Sequence, residues 1–168
     1  IGVAGTTHEG IKQGDIVIGN DAVQHDMDVT CRGYRPGEVP DMFVSYFLAD
    51  DDLIALAEQA AKNCELDGAA VHTGRIASGD QFICGGEQAD KIKETFDPYA
   101  VEMEGAAVAQ TAWVNQIPFV IIRAISDNAD KDAPTSSYDD FLPLAVIHSF
   151  SLVRRMLLLA GGEEAPKA

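Results

Sequence analysis

Two rhythms of hydrophobic and polar positions run along this chain, and the changes between them mark its elements. Short apolar, β-branched runs predict strands. These are the end of a buried strand at residues 1–4, Asp15-Ile16-Val17-Ile18-Gly19, residues 69–78 through Val71 and Ile76, and Tyr99-Ala100-Val101-Glu102. The clearest is Pro118-Phe119-Val120-Ile121-Ile122-Arg123-Ala124-Ile125, whose unbroken apolar run predicts a strand covered on both faces, as in a parallel sheet. Elsewhere apolar residues recur three or four apart. Leu53, Ile54, Leu56, Ala57, Ala60 and Ala61 follow Asp50, Asp51 and Asp52, which predicts an amphipathic helix ending near Leu66 and stopped by Gly68. Residues 86–96 predict a short helix with Lys91, Lys93 and Glu94 toward water. Residues 104–115 are nearly all small and apolar and predict a helix buried on most faces. A long last helix is expected over 138–159, with Ser136 and Asp139 as a cap pair and Pro143 bending its first turns.

The remaining stretches read as loops: a glycine-punctuated one at 5–14, an irregular one at 29–40, a polar one at 127–137, and a frayed tail at 161–168. Strands that alternate with helices predict an α/β class with a mixed or mainly parallel sheet, in one domain over residues 1–160. A chain of 168 residues has room for one such core. It opens at Ile1-Gly2-Val3-Ala4-Gly5, a strand running into a glycine turn without its beginning, so a piece of a longer protein is expected.

Charge then removes whole classes of function. Twelve Lys and Arg against 27 Asp and Glu give a net charge of −15, which repels nucleic acid and anionic membrane surfaces. The longest apolar runs are interrupted by Arg or Asp and fall short of a bilayer span, and the start does not resemble a signal peptide. Cys31, Cys64 and Cys84 are odd in number and widely spaced, which predicts reduced thiols and a cytoplasmic protein rather than disulfides or a zinc site.

In open α/β sheets ligands bind beyond the carboxyl ends of strands. Three stretches stand there. In Ser78-Gly79-Asp80-Gln81-Phe82-Ile83, Phe82 is either a core ring or a stacking platform for a flat ligand. In Val101-Glu102-Met103-Glu104, two carboxylates precede a helix; Glu104 either complements the helix dipole or accepts hydrogen bonds from sugar hydroxyls. In Arg123-Ala124-Ile125-Ser126-Asp127-Asn128-Ala129-Asp130, Arg123 interrupts an apolar strand, so a buried cation must find a partner. Asp127, just past the strand end and beside Ser126, suits a general acid of raised pKa, or a turn with a structural ion pair. His25-Asp26-Met27-Asp28 fits no standard metal spacing and reads as a solvated or hydrogen-bonded loop. Val3-Ala4-Gly5 is a short glycine turn able to cradle an anion through its N–H groups.

Taken together, Val101-Glu102-Met103-Glu104-Gly105-Ala106-Ala107, Arg123 to Ala129 and Ser78 to Ile83 resemble the nucleoside phosphorylase/nucleosidase family. Gly2-Val3-Ala4-Gly5, Lys12-Gln13-Gly14-Asp15-Ile16-Val17 and His25-Asp26-Met27-Asp28-Val29-Thr30 fit the same pattern in the same order. The similarity runs to about Leu159 and is strongest to the branch that hydrolyses 5′-methylthioadenosine and S-adenosylhomocysteine. It implies a three-layer α/β/α fold with a central mixed, largely parallel twisted sheet. It also implies a homodimer, a nucleoside substrate, and no cofactor or metal.

By the same resemblance, Asp127 protonates adenine N7, Ser126 orients it, and Phe82 stacks on the base while Ile83 bonds its edge through the backbone. Glu104 holds the ribose 2′-hydroxyl, Met103 packs on the sugar, and Arg123 helps place Glu104 and the attacking water. Glu102, Ala4 and Gly5 complete the ligand set, and Tyr138 is expected over the ligand. The family's N-terminal segment, with a glutamate that activates the water, matches no residue here. Arg32 stands near an expected aromatic, and Val3 where a small hydroxyl residue is common. A phosphate-dependent phosphorylase and a non-catalytic nucleoside binder are the competing functions.

Overall fold

A computed structural model describes residues 1–128 and 136–162, with the backbone alone at 128 and 136–140. Among the described residues six strands form one sheet: β1 (Gly2–Thr6), β2 (Ile16–Gln24), β3 (Phe47–Leu48), β4 (Val71–Ser78), β5 (Ala100–Glu102) and β6 (Ile122–Asn128). Four helices cover it: α1 (Asp51–Ala61), α2 (Gly86–Phe96), α3 (Gly105–Val114) and α4 (Ser136–Ala160).

The sheet is mixed, as expected, but it is not an open layer. Its order is β3-β2-β4-β5-β1-β6, and β6 returns to pair with β2, so five strands close into a barrel with β3 as a short edge. β4 runs parallel to β2 and β5, and β6 parallel to β1, while β2–β6, β2–β3 and β1–β5 are antiparallel. The expected three-layer sandwich with a largely parallel sheet is corrected accordingly. The physical reason lies in β2. It is nine residues long and shifts register between Gly19 and Ala22. On one edge its first half pairs with β6 (Ile16 with Ala124, Ile18 with Ile122) and its second half with β3. A bulge of this kind coils a strand enough to serve two neighbours. Gly19 sits at the bend, where a Cβ would meet Ile76 Cγ1 at 2.7 Å and the Ile121 carbonyl at 3.1 Å.

α1 starts where the acidic triplet predicts. The Asp50 carboxylate accepts the Leu53 N–H at 3.0 Å as an N-cap. It ends at Ala61, before a turn carried by Asp67 and Gly68, both at positive φ. α1 and α4 close an apolar cluster over Ile16, Ile18 and Ile122, and α2 closes another over Val23, Ala77 and Val101. α3 buries Ala106, Ala109 and Ala112 but leaves Val108, Trp113 and Val114 exposed, so it is covered on one face only.

Two further expectations change. β6 begins at Ile122 and runs through Asn128, so Asp127 lies within the strand, not beyond it. α4 is, over Phe141–Ala160, long and apolar enough by composition to cross a bilayer, contrary to the sequence expectation. It turns Ala145, His148 and Leu152 inward and leaves Val146, Ile147, Phe150 and Leu157 outside. Pro143 falls inside α4 as expected. The side chains of the expected Ser136–Asp139 cap, and the tail from residue 163, lie outside the described residues.

Candidate active site

Strand ends bring the predicted residues together. β1 and β5 meet at a single pair, Gly5 with Val101, close to the end of each, and β6 runs beside β1 so that Gly5 faces Asp127. The carboxyl ends of β1 and β6 therefore lie side by side, the antiparallel β5 brings Val101 and Glu102 against β1, and the loop after β4 closes over them. The result is a cavity of about 130 Å³ lined by Val3, Ala4, Gly5, Gln81, Phe82, Ile83, Val101, Glu102, Met103, Glu104, Ser126 and Asp127. Its floor is buried at Ala4, Val101 and Ser126, whereas Phe82 and Met103 stay exposed.

Behind the cavity stands a network that the residue types alone did not disclose. Glu102, at the end of β5, has a side chain only 2% exposed. Its carboxylate accepts from Arg123 Nε at 2.9 Å and from Arg123 Nη2. It also accepts from the Ser78 hydroxyl, from the Glu104 N–H at 3.1 Å and from the Gly105 N–H at 2.8–2.9 Å. The Ser78 hydroxyl in turn accepts the Ala106 N–H at 2.7 Å. The first amides of α3 are thus satisfied by one buried carboxylate and one hydroxyl. Glu102, expected among the ligand set, lines the cavity, and both of its oxygens accept hydrogen bonds from within the protein. Arg123 has the partner its burial demands. Gly2 makes the room, since a Cβ there would lie 2.6 Å from Arg123 Nη1. The only sequence signal for this hub was a charged residue inside each of two apolar strands.

This frame leaves Glu104 free to face outward. Its side chain is 73% exposed, and its Oε2 lies 3.9 Å from Arg123 Nη2. It precedes α3 without capping it through its side chain. Across the cavity, Ser126 is buried, and its hydroxyl lies 3.2 Å from the Ala4 carbonyl and 3.3 Å from Asp127 Oδ1. With one hydrogen it serves one of these acceptors at a time. Burial pushes the Asp127 carboxyl above its ordinary range, and the Ser126 hydroxyl opposes that shift. A carboxylic acid that keeps its proton to higher pH, opposite an aromatic ring and an exposed carboxylate, can donate that proton to a bound base.

The His25–Asp28 stretch is a hydrogen-bonded loop. Asp26 accepts the Asp80 N–H at 2.8 Å, and Asp28 accepts from both the N–H and the hydroxyl of Thr30. Asp26 thereby ties down the loop that carries Phe82 and Ile83. Among the described residues no cluster of three His, Cys, Asp or Glu side chains is arranged to hold a metal ion. Arg123 stands one layer behind the cavity, and the side chain of Tyr138 lies outside the described residues.

The convergence of these strand ends has counterparts in known proteins. Residues 1–158 match the sequence profile of the phosphorylase superfamily. The chain belongs to the phosphorylase superfamily. Within it, the chain is 43% identical over 157 residues to 5′-methylthioadenosine/S-adenosylhomocysteine nucleosidase of Bacillus subtilis (strain 168), covering 93% of this chain and 66% of that protein. It is similar to the same-named enzyme of Neisseria meningitidis, solved in complex with methylthio-immucillin-A, with a TM-score of 0.85 and 44% identity over 93% of this chain and 66% of the other. It is also similar to futalosine hydrolase of Helicobacter pylori strain 26695, with a TM-score of 0.84 and 33% identity over 93% of this chain and 65% of the other. The chain spans just under two thirds of the length of these superfamily relatives.

Proposed function

We propose that this protein hydrolyses the N-glycosidic bond of 5′-methylthioadenosine and S-adenosylhomocysteine. The observation that carries the proposal is the charge of the cavity. Glu102, Glu104 and Asp127 line it, no lining residue among the described ones is basic, and burial pushes the Asp127 carboxyl toward the protonated form.

Such a site matches an oxocarbenium-like transition state. As the bond between the ribose C1′ and adenine N9 breaks, its electron pair passes into the purine and positive charge grows on the sugar. Asp127 delivers a proton to adenine N7, so the base leaves neutral. Glu104 accepts the ribose 2′-hydroxyl and supports the positive sugar. Phe82 stacks on the purine, Ile83 bonds its edge through the backbone, and Met103 packs against the ribose. Ala4 and Gly5 floor the site, and Ser126 holds the Asp127 carboxyl in orientation. Arg123, bound to Glu102, fixes the start of α3 and with it Glu104. Water adds to C1′ and gives up its proton to solvent, from which Asp127 is reprotonated, and the reaction calls for no metal or cofactor.

Phosphorolysis fits less well. A phosphate nucleophile needs cationic donors, and the buried Arg123 is already neutralised by Glu102. The names of the superfamily relatives above, a nucleosidase and a hydrolase, support the same choice. The proposal includes a cytoplasmic homodimer, for which the exposed Leu48, Trp113, Val114 and Ile117 offer an apolar surface.

The test is adenine release from methylthioadenosine by the full-length protein, with and without inorganic phosphate. Equal release in both supports hydrolysis. Release only with phosphate supports the phosphorylase, and none in either supports a binder.

A further inference from the structure

The strand that carries Asp127 is paired unequally at its end. On one side β1 follows it to Thr6, but the register skips a residue: Ala4 faces Ile125 and Gly5 faces Asp127, leaving Ser126 as the extra residue of a bulge. Bulges beside active sites re-aim the side chains that follow them. On the other side β2 accompanies β6 only from Ile122 to Ala124. Beyond Ala124 the turn that precedes β2 takes over. The Ile125 N–H donates to the Asp15 carbonyl at 2.8 Å, and the Gly14 N–H donates to the Ile125 carbonyl at 2.9 Å. One step further, the Gln13 side-chain amide donates to the Ser126 carbonyl at 2.6 Å.

We propose that Gln13 is a positioning residue for Asp127, its side-chain amide holding the bulged Ser126 peptide that aims the carboxyl into the cavity. The Ser126 carbonyl and the Asp127 N–H belong to one planar peptide. A donor fixed on that oxygen therefore fixes the plane from which the Asp127 side chain departs. The turn that presents Gln13 is itself anchored. The Asp15 carboxylate accepts the Lys12 N–H at 3.0 Å, the Ala70 N–H at 2.9 Å and bonds His72 Nε2 at 2.8 Å. Gln13 lies at the surface, so the fold does not depend on its burial. In this arrangement a side chain continues, by one donor, the support that β2 gives the rest of β6. The inference rests on the assignment of Asp127 as the acid.

The experiment uses the full-length protein, methylthioadenosine as substrate, and two variants. Gln13→Met keeps the length of the side chain and loses the donor; Gln13→Lys restores a donor of similar reach. The expected result for Gln13→Met is a fall in kcat of about five- to tenfold, with KM and the unfolding midpoint near those of the unaltered protein. The alkaline limb of its kcat–pH profile moves, because the carboxyl sits differently. Gln13→Lys recovers most of the lost kcat, and its alkaline limb moves to lower pH under the added positive charge. An active unaltered protein with Gln13→Met indistinguishable from it in kcat and pH profile overturns the role of Gln13 and leaves the acid assignment standing. Equal losses in both variants, with a lowered unfolding midpoint, also overturn it by showing a structural role alone. An unaltered protein that releases no adenine removes the acid assignment and this inference with it.

Discussion

Removing the Glu102 carboxylate tests the frame of the site most severely. Its side chain is 2% exposed and that of Arg123 is 6% exposed, so neither charge is relieved by water. Truncation as Glu102→Ala strands a buried guanidinium, strips the acceptor from the Ser78 hydroxyl, and leaves the Glu104 and Gly105 amides unsatisfied. Breaking a buried ion pair by deleting one partner costs about 3–5 kcal/mol. That is a large share of the roughly 5–15 kcal/mol that holds a domain folded. Arg123→Met leaves a buried carboxylate that still has three protein donors, and should cost less. A double-mutant cycle in urea unfolding separates the terms. Glu102→Gln combined with Arg123→Met removes both charges together, and the account expects it to fall short of the sum of the single losses by at least about 1.5 kcal/mol. Additive losses, or a Glu102→Ala protein within about 1 kcal/mol of the unaltered one, would refute the reasoning. The amides at the start of α3 would then need another source of support.

Three further outcomes follow from neighbouring geometry. The raised Asp127 pKa means that the folded chain holds this proton over a pH range in which the unfolded chain has released it, so this group's contribution to stability falls as pH rises through that range. Asp127→Asn is therefore expected to unfold at a higher temperature than the unaltered protein at neutral pH, with the gain vanishing at pH values below the ordinary carboxylate range. Asp15 behaves oppositely: burial works against its charge, but the Lys12 and Ala70 amides and His72 outweigh it and hold its pKa down. Asp15→Asn should cost about 1–2 kcal/mol at neutral pH and nothing once acid has protonated the native carboxyl. Phe82→Ala should weaken binding of adenine by about 1–3 kcal/mol in calorimetric titration, with the unfolding midpoint unchanged because the ring is exposed. A Phe82→Ala protein of unchanged affinity would show that the ring does not stack on the base.

Much of this molecule was legible as residues in order. The 86–96 helix has the expected bounds, and the strands ending at Ser78 and Glu102 end where the polar residues begin. Three candidate stretches, chosen only because they follow strands, line one cavity. The barrel was not legible, because closure depends on β2 changing partners halfway along, and a run of buried residues reads alike in an open sheet and a closed one. The exposed face of α3 was missed for a related reason: small apolar residues lack the polar stripe that would show which side meets water. The end of β6 was placed too early because Ser, Asp and Asn carry turn propensity that pairing with β1 overrides. The bracing of the start of α3 by Glu102 was not legible, because nothing in a residue type shows which donors will surround a carboxylate.

The account turns on proton donation by Asp127, and single-turnover release of adenine by the full-length Asp127→Asn protein measures it most directly. With substrate binding retained, the rate is expected to fall by about 10²–10⁴, while in the unaltered protein the rate declines as rising pH deprotonates this carboxyl. A variant that releases adenine within twofold of the unaltered rate, with the same pH profile, would contradict it.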